Sequence, residues 1–223
     1  MKRGSSKWRV FSLHGCNSEA RDSTAYSNSI NRKTLKHEKA IFERLGNYRG
    51  IIHCFKASDD GIELAFAKQG DLKRYIEKNT EPHQSLKTQW ILSLTDTLSY
   101  VHSRKVFVDE IALRNILVSD EKLKLADFGQ SVLLSMDANV DTVCEEDLTA
   151  KIKILHLGWI IYSIVVWRVH EYYFFAQDPP QWPSQGLPAL EGLICGTIIQ
   201  KCWSGQYVSM GTLDKDARDL LGK

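Results

Sequence analysis

Apolar and polar residues alternate at Trp8-Arg9-Val10-Phe11-Ser12-Leu13, which predicts one short strand in a segment otherwise rich in Ser, Asn, Arg and Lys. The period changes further on. Residues 36–45 put Ile41, Phe42 and Leu45 on one helical face, and Gly46 follows as a C-cap. Residues 51–56 and 62–66 read as two strands joined by the turn Ser58-Asp59-Asp60-Gly61. A long amphipathic helix is predicted over 86–104, where Trp90, Leu94, Leu98 and Val101 recur at helical spacing. Residues 116–118 and 122–125 form a hairpin across Ser119-Asp120-Glu121. The run 154–167 is almost wholly apolar but too short to span a bilayer, and it carries His156 and Gly158, so it predicts a buried core helix.

Composition narrows the class of molecule. With 43% hydrophobic and 25% charged residues, the chain has an ordinary globular make-up. Its length suits one large domain or two lobes. A net charge of +2 creates no field that predicts nucleic acid or a membrane as partner. The five cysteines (Cys16, Cys54, Cys144, Cys195 and Cys202) are odd in number and show no metal-ligand spacing. Free thiols in a reducing compartment are the expectation. Met1-Lys2-Arg3 has no apolar stretch behind it, so the protein is expected in the cytoplasm or nucleus and not secreted.

Candidate chemistry is concentrated in Val108-Asp109-Glu110-Ile111-Ala112-Leu113-Arg114-Asn115 and, after the hairpin, in Asp127-Phe128-Gly129. A carboxylate (Glu110, with Asp109 beside it), an amide (Asn115) and a second carboxylate (Asp127) are thereby gathered near one cleft. Such groups can hold Mg²⁺ on a nucleotide and take a proton from an attacking hydroxyl. The two stretches resemble the catalytic loop H-R-D-L-x-x-x-N and the D-F-G of protein kinases, aligned without a gap. Ala112 and Arg114 resemble the tyrosine-kinase-like version of the loop. Lys201-Cys202-Trp203 is similar to the K-C-W of such large lobes, and residues 205–210 resemble a divergent fungal group.

The resemblance implies an α+β, bilobal protein-kinase-like fold. An irregular segment, 1–33, would precede a reduced β-rich small lobe at 34–69 and a mainly helical large lobe at 70–223. It implies ATP and Mg²⁺ as cofactors and a protein substrate or partner protein. Asp127 and Asn115 would hold metal, and Glu110 would act as base with Asp109 as a second carboxylate beside it. Arg114 would steady the developing phosphate charge. Glu38 stands where the family carries the helix Glu that pairs with a Lys, a solvated helix charge being the alternative. Leu64 would be the gatekeeper, the backbone from Ala65 to Ala67 would face adenine, and Leu117 would lie beneath it. Several departures accompany the match. The sequence shows no G-x-G-x-x-G, no V-A-I-K and no A-P-E, and Glu110 replaces the family Asp. Lys153 replaces the Asp that holds the catalytic-loop backbone from below, so the loop is expected to lose that anchor. Two readings follow: a weak kinase, and a pseudokinase acting as nucleotide-binding or partner-binding scaffold.

Overall fold

The computed structural model describes residues 3–5, 18–145, 148–176, 180–183 and 186–222; the strand expected at 8–13 lies outside them. Strand β1 (Arg3–Ser5) leads, and the helix α1 (Ser18–Leu45) follows. The hairpin β2 (Cys54–Ser58) and β3 (Gly61–Ala65) completes a small antiparallel sheet in the order β1-β3-β2. Arg3 pairs with Ala65 and Ser5 with Glu63, while Ser58 pairs with Gly61 at the hairpin turn. The segment expected to be irregular is therefore helical from Ser18 onward, and the boundary at residue 33 falls inside a 28-residue helix. α1 ends as its sequence requires. Gly46 adopts φ +62°, and its N–H returns to the Phe42 carbonyl at 2.9 Å. Leu35, Ile41, Phe42 and Leu45 are buried on one side of the helix.

The second part of the chain is mainly helical. It runs through α2 (Leu72–Lys78), α3 (Gln84–Ser103), β4 (Val106–Phe107), β5 (Ile116–Ser119), β6 (Lys122–Leu125), β7 (Val132–Leu133), α4 (Ala150–Val166), α5 (Gly196–Trp203) and α6 (Met210–Leu221). Asp71 caps α2 by accepting from the Arg74 N–H, and Thr149 caps α4 by accepting from the Ile152 N–H. Ser209 and Thr212 form a reciprocal capping box at the start of α6. α4 is buried over nearly its whole circumference, as a helix apolar on every side must be. Trp90, Leu94, Leu98 and Val101 line the core from α3. The β5–β6 hairpin has the expected register, Ile116 opposite Leu125 and Ser119 opposite Lys122. Cys54, Cys195 and Cys202 are free thiols. Among the described residues no helix is long and apolar enough to cross a membrane.

Gly158 shows why α4 and α5 can lie so close. A Cβ there would stand 2.6 Å from the Cys202 Cβ and 3.1 Å from the Trp203 ring. Both neighbours are fully buried and have nowhere to retreat. Gly158→Ala is expected to lower the unfolding free energy by about 1–3 kcal/mol through overpacking. Urea denaturation checks it, because an unchanged midpoint would mean that the helices separate at no cost.

Candidate functional site

The site is built where four pieces of backbone meet at the β5–β6 hairpin. Val118 donates to the Gly70 carbonyl at 2.8 Å and Gln69 to the Val118 carbonyl at 3.3 Å, so the hairpin is joined to the turn that follows β3. On its other side, Leu125 donates to the Gly50 carbonyl at 2.7 Å, and Ile52 to the Leu125 carbonyl at 3.0 Å. Ala126 then donates to the Asn115 carbonyl at 3.0 Å. That bond brings Asp127 and Asn115, twelve positions apart in sequence, to adjacent strand ends.

Asp127 has φ +63°, the left-handed region that costs a non-glycine residue about 1 kcal/mol. What holds it there is its neighbour. Phe128 is fully buried, and its ring meets that of Phe42 of α1 edge-on at 5.4 Å between centroids. Three residues further, the Ser131 carbonyl is hydrogen-bonded to His37 of α1. The Asp-Phe-Gly turn is thus packed directly beneath α1. Glu38, on the same helix, is 5% exposed, so it is not a solvated helix charge. It lies near Cys54, whose thiol is pushed up by burial, with the Glu38 and Glu63 carboxylates adding to the shift.

The loop from β4 to β5 carries the remaining groups. Val108, Ile111 and Leu113 are buried and act as apolar pegs between the polar residues. Glu110 is engaged through both carboxylate oxygens: Oε1 accepts from Arg114, and Oε2 accepts from Asn115 Nδ2 at 3.1 Å. Asn115, 8% exposed, also donates from Nδ2 to the Glu110 carbonyl at 3.3 Å. The amide nitrogen is therefore turned to Glu110, and the amide oxygen, the atom a hard cation would take, is turned away from it. An amide oxygen from Asn115 and a carboxylate from Asp127, carried on adjacent strand ends, are the kind of donors that Mg²⁺ takes, since it prefers a few oxygen ligands and retained water. No cluster of three or more His, Cys, Asp or Glu suited to a metal occurs among the described residues.

Of the positions expected around an adenine, Ala65 donates its N–H to the His53 carbonyl at 2.8 Å, and the Ala67 carbonyl accepts from Gly70 at 3.2 Å. Those two backbone groups are engaged within the fold. Leu117 is half-buried in β5 against the main core, and its backbone bridges to Asp71.

The expected loss of the loop's lower anchor is corrected by the structure. Lys153 of α4, fully buried, donates from Nζ to the Asp109 carbonyl and lies 3.8 Å from Asp109 Oδ1. A lysine cannot accept from a loop N–H, but it can donate to a loop carbonyl. Lys153, Asp109, Glu110 and Arg114 border a cavity of about 770 Å³ whose far wall includes Trp159 and Tyr172. Beside Lys153, His102 is buried without a hydrogen-bond partner for either ring nitrogen among the described residues. Burial and the Lys153 charge lower its pKa to about 4. The sequence carried no signal for this arrangement beyond an unexpected Lys.

A family model described as the protein kinase domain matches residues 19–148, more than half of the chain. NUAK family SNF1-like kinase 1 of Homo sapiens is 26% identical over 205 residues, covering 84% of this chain and 28% of that protein. Serine/threonine-protein kinase PKH2 of Saccharomyces cerevisiae is 28% identical over 132 residues, 56% of this chain and 12% of that protein. Inactive tyrosine-protein kinase kin-32 of Caenorhabditis elegans is 42% identical over 80 residues, 34% of this chain and 9% of that protein. The chain spans less than a third of the length of each of these relatives.

Proposed function

The chain belongs to the protein kinase family, and from that premise we propose that it binds ATP with Mg²⁺ and transfers the terminal phosphoryl group slowly to protein hydroxyls. The observation that carries this reading is the Asp-Phe-Gly turn, with Asp127 at φ +63° beside Asn115 and Phe128 locked under α1. Asn115 and Asp127 would hold Mg²⁺. When bound, the ion neutralises charge on the nucleotide phosphates. Glu110 takes the proton that the acceptor oxygen loses as it bonds to the terminal phosphorus and ADP leaves. Arg114 orients Glu110 through their ion pair, and the cavity beside both gives an acceptor side chain room to approach. Ala65, Ala67 and Leu117 would border the adenine, with Glu38 buried on α1. Asp109, tied to Lys153, serves the loop and not the proton.

A second reading, a pseudokinase that keeps nucleotide binding or serves as a scaffold for a partner protein, is favoured by one feature. Both Glu110 oxygens are already engaged by Arg114 and Asn115, so neither stands free to meet an acceptor hydroxyl. A cytoplasmic or nuclear location fits either reading and remains part of the proposal.

Thermal unfolding with and without ATP and Mg²⁺ tests the binding. Ligand at about 100 times its dissociation constant adds about 2.7 kcal/mol. For a chain of this size the midpoint rises by roughly 2–4 °C per kcal/mol. The rise should require Mg²⁺ and be absent in Asp127→Asn. A wild-type midpoint indifferent to every nucleotide sinks the proposal and leaves the scaffold. Phosphate transfer to a mixed peptide substrate, lost in Glu110→Gln, separates slow kinase from pseudokinase.

A further inference from the structure

Lys153 is the one buried ammonium beneath the catalytic loop, among the described residues, and its contacts are concentrated at the loop's entry. Nζ lies 5.4 Å over the Phe107 ring, the last residue of β4. It donates to the Asp109 carbonyl and faces the Asp109 carboxylate at 3.8 Å, while its own side chain is 1% exposed. The next residue, Glu110, is gripped from the other side by Arg114 and Asn115. One cation below and two donors beyond therefore define where the Glu110 carboxylate stands. We propose that Lys153 is a positioning residue: its ammonium holds Asp109 from beneath and so sets the place of the Glu110 carboxylate at the cavity. The proposal rests on the reading of Glu110 as the base, and it adds the group that aims it.

Chemistry makes the anchor conditional. An ammonium has three donors and no acceptor; deprotonated, it keeps two N–H donors but loses the charge that strengthens the bond to the Asp109 carbonyl and attracts the Asp109 carboxylate. The groups that face Nζ are Asp109 and Glu110 from the loop, His102 from α3 and His156 from α4 itself. Arg114, His170 and Glu171 stand around the same cavity. Burial and the Lys153 charge lower the pKa of both His102 and His156 to about 4. They stay neutral near pH 7 and leave Lys153 as the charge that the loop feels from below. Burial takes Lys153 itself down to about 8, against the pull of Asp109 and Glu110. An anchor of this kind loosens in mild alkali.

Hydrogen exchange over 108–116 in the whole chain, without nucleotide, tests this and stays informative even where nucleotide binding fails. In Lys153→Met the loop amides should lose protection by about tenfold or more, the loss of one charge-assisted bond, while α1 and α6 keep theirs. Lys153→Arg, which cannot deprotonate, should restore it. In the wild type, after correction for intrinsic exchange, loop protection should fall as the pH is raised from about 7 to about 9. The arginine variant should show no such fall. Unchanged protection in Lys153→Met overturns the proposal, as does a loss spread evenly over the chain. Identical pH profiles in wild type and Lys153→Arg overturn it too. Should neither variant fold, the wild-type profile decides, because flat loop protection across that range overturns the proposal.

Discussion

Asp96→Ala lowers the unfolding free energy by about 2 kcal/mol, as expected when a largely buried carboxylate that accepts several hydrogen bonds is removed. Asp96 sits on α3 with its side chain 11% exposed. Its Oδ2 accepts from the Tyr48 hydroxyl at 2.7 Å and from Arg49 at 2.8 Å, and its Oδ1 accepts from Arg218 at 2.6 Å. Arg218 also reaches Asp214, which accepts from Thr95. One carboxylate thus joins the segment after α1, the middle of α3 and the C-terminal helix α6. Burial pushes the Asp96 carboxyl up, but the hydrogen bonds from Tyr48 and Arg49 and the charges of Arg49 and Arg218 outweigh it and hold it below the usual range. A lowered folded pKa is stability present above the unfolded value and lost as pH falls through the folded one. The wild type should therefore lose stability in acid faster than Asp96→Asn, which keeps an acceptor for Tyr48 but has no charge to protonate. Arg49 and Arg218 are more than half exposed, so their screened share is small. The loss should come chiefly from the carboxylate's own buried hydrogen bonds. Urea denaturation between acid and neutral pH measures it, and matched slopes for wild type and Asp96→Asn would count against a paired carboxylate.

Lys153 acts in the same pH direction but in an alkaline window. Its folded pKa, about 8, lies below the ordinary lysine value of 10.5, with burial as the leading cause. Between those two pH values the unfolded chain binds more protons than the folded one. Stability from this group is therefore fully present above the unfolded pKa and is lost as pH falls through about 8. The wild type should gain about 3 kcal/mol relative to Lys153→Met as the pH rises across that window. Other groups titrate there as well, so the difference between the two proteins is the quantity to read. A difference that stays constant with pH would mean that Lys153 is as well solvated folded as unfolded. The same residue thus costs stability at neutral pH while it holds the loop, the usual conflict between a buried charge and its use at a site.

Much of the candidate site is legible in residue order alone. A loop that spaces Glu110, Arg114 and Asn115 within six positions, then a hairpin, then Asp127 leaves few ways to arrange them. The apolar spacing of α3 and the unbroken apolar run of α4 predict buried helices because burial is what that periodicity expresses. The long start of α1 carries no such signal. Ser, Asn and Arg dominate residues 21–33, so an apolar stripe is missing where a helix nevertheless continues. α6 announces itself chiefly through the pair Ser209 and Thr212 at its cap.

What residue order determines here is the supply of groups: two carboxylates, an amide and an arginine at kinase spacing, and the helices and hairpin that carry them. Their state is a matter of tertiary neighbours. Whether Glu38 is solvated depends on what packs over α1, and it proves buried. Whether Lys153 abandons or anchors the loop depends on which peptide group faces it, and the Asp109 carbonyl does. The Asp96 network joins residues up to 122 positions apart. Local sequence encodes torsional preference and periodicity, whereas burial, partner and charge state are set by atoms from distant parts of the chain.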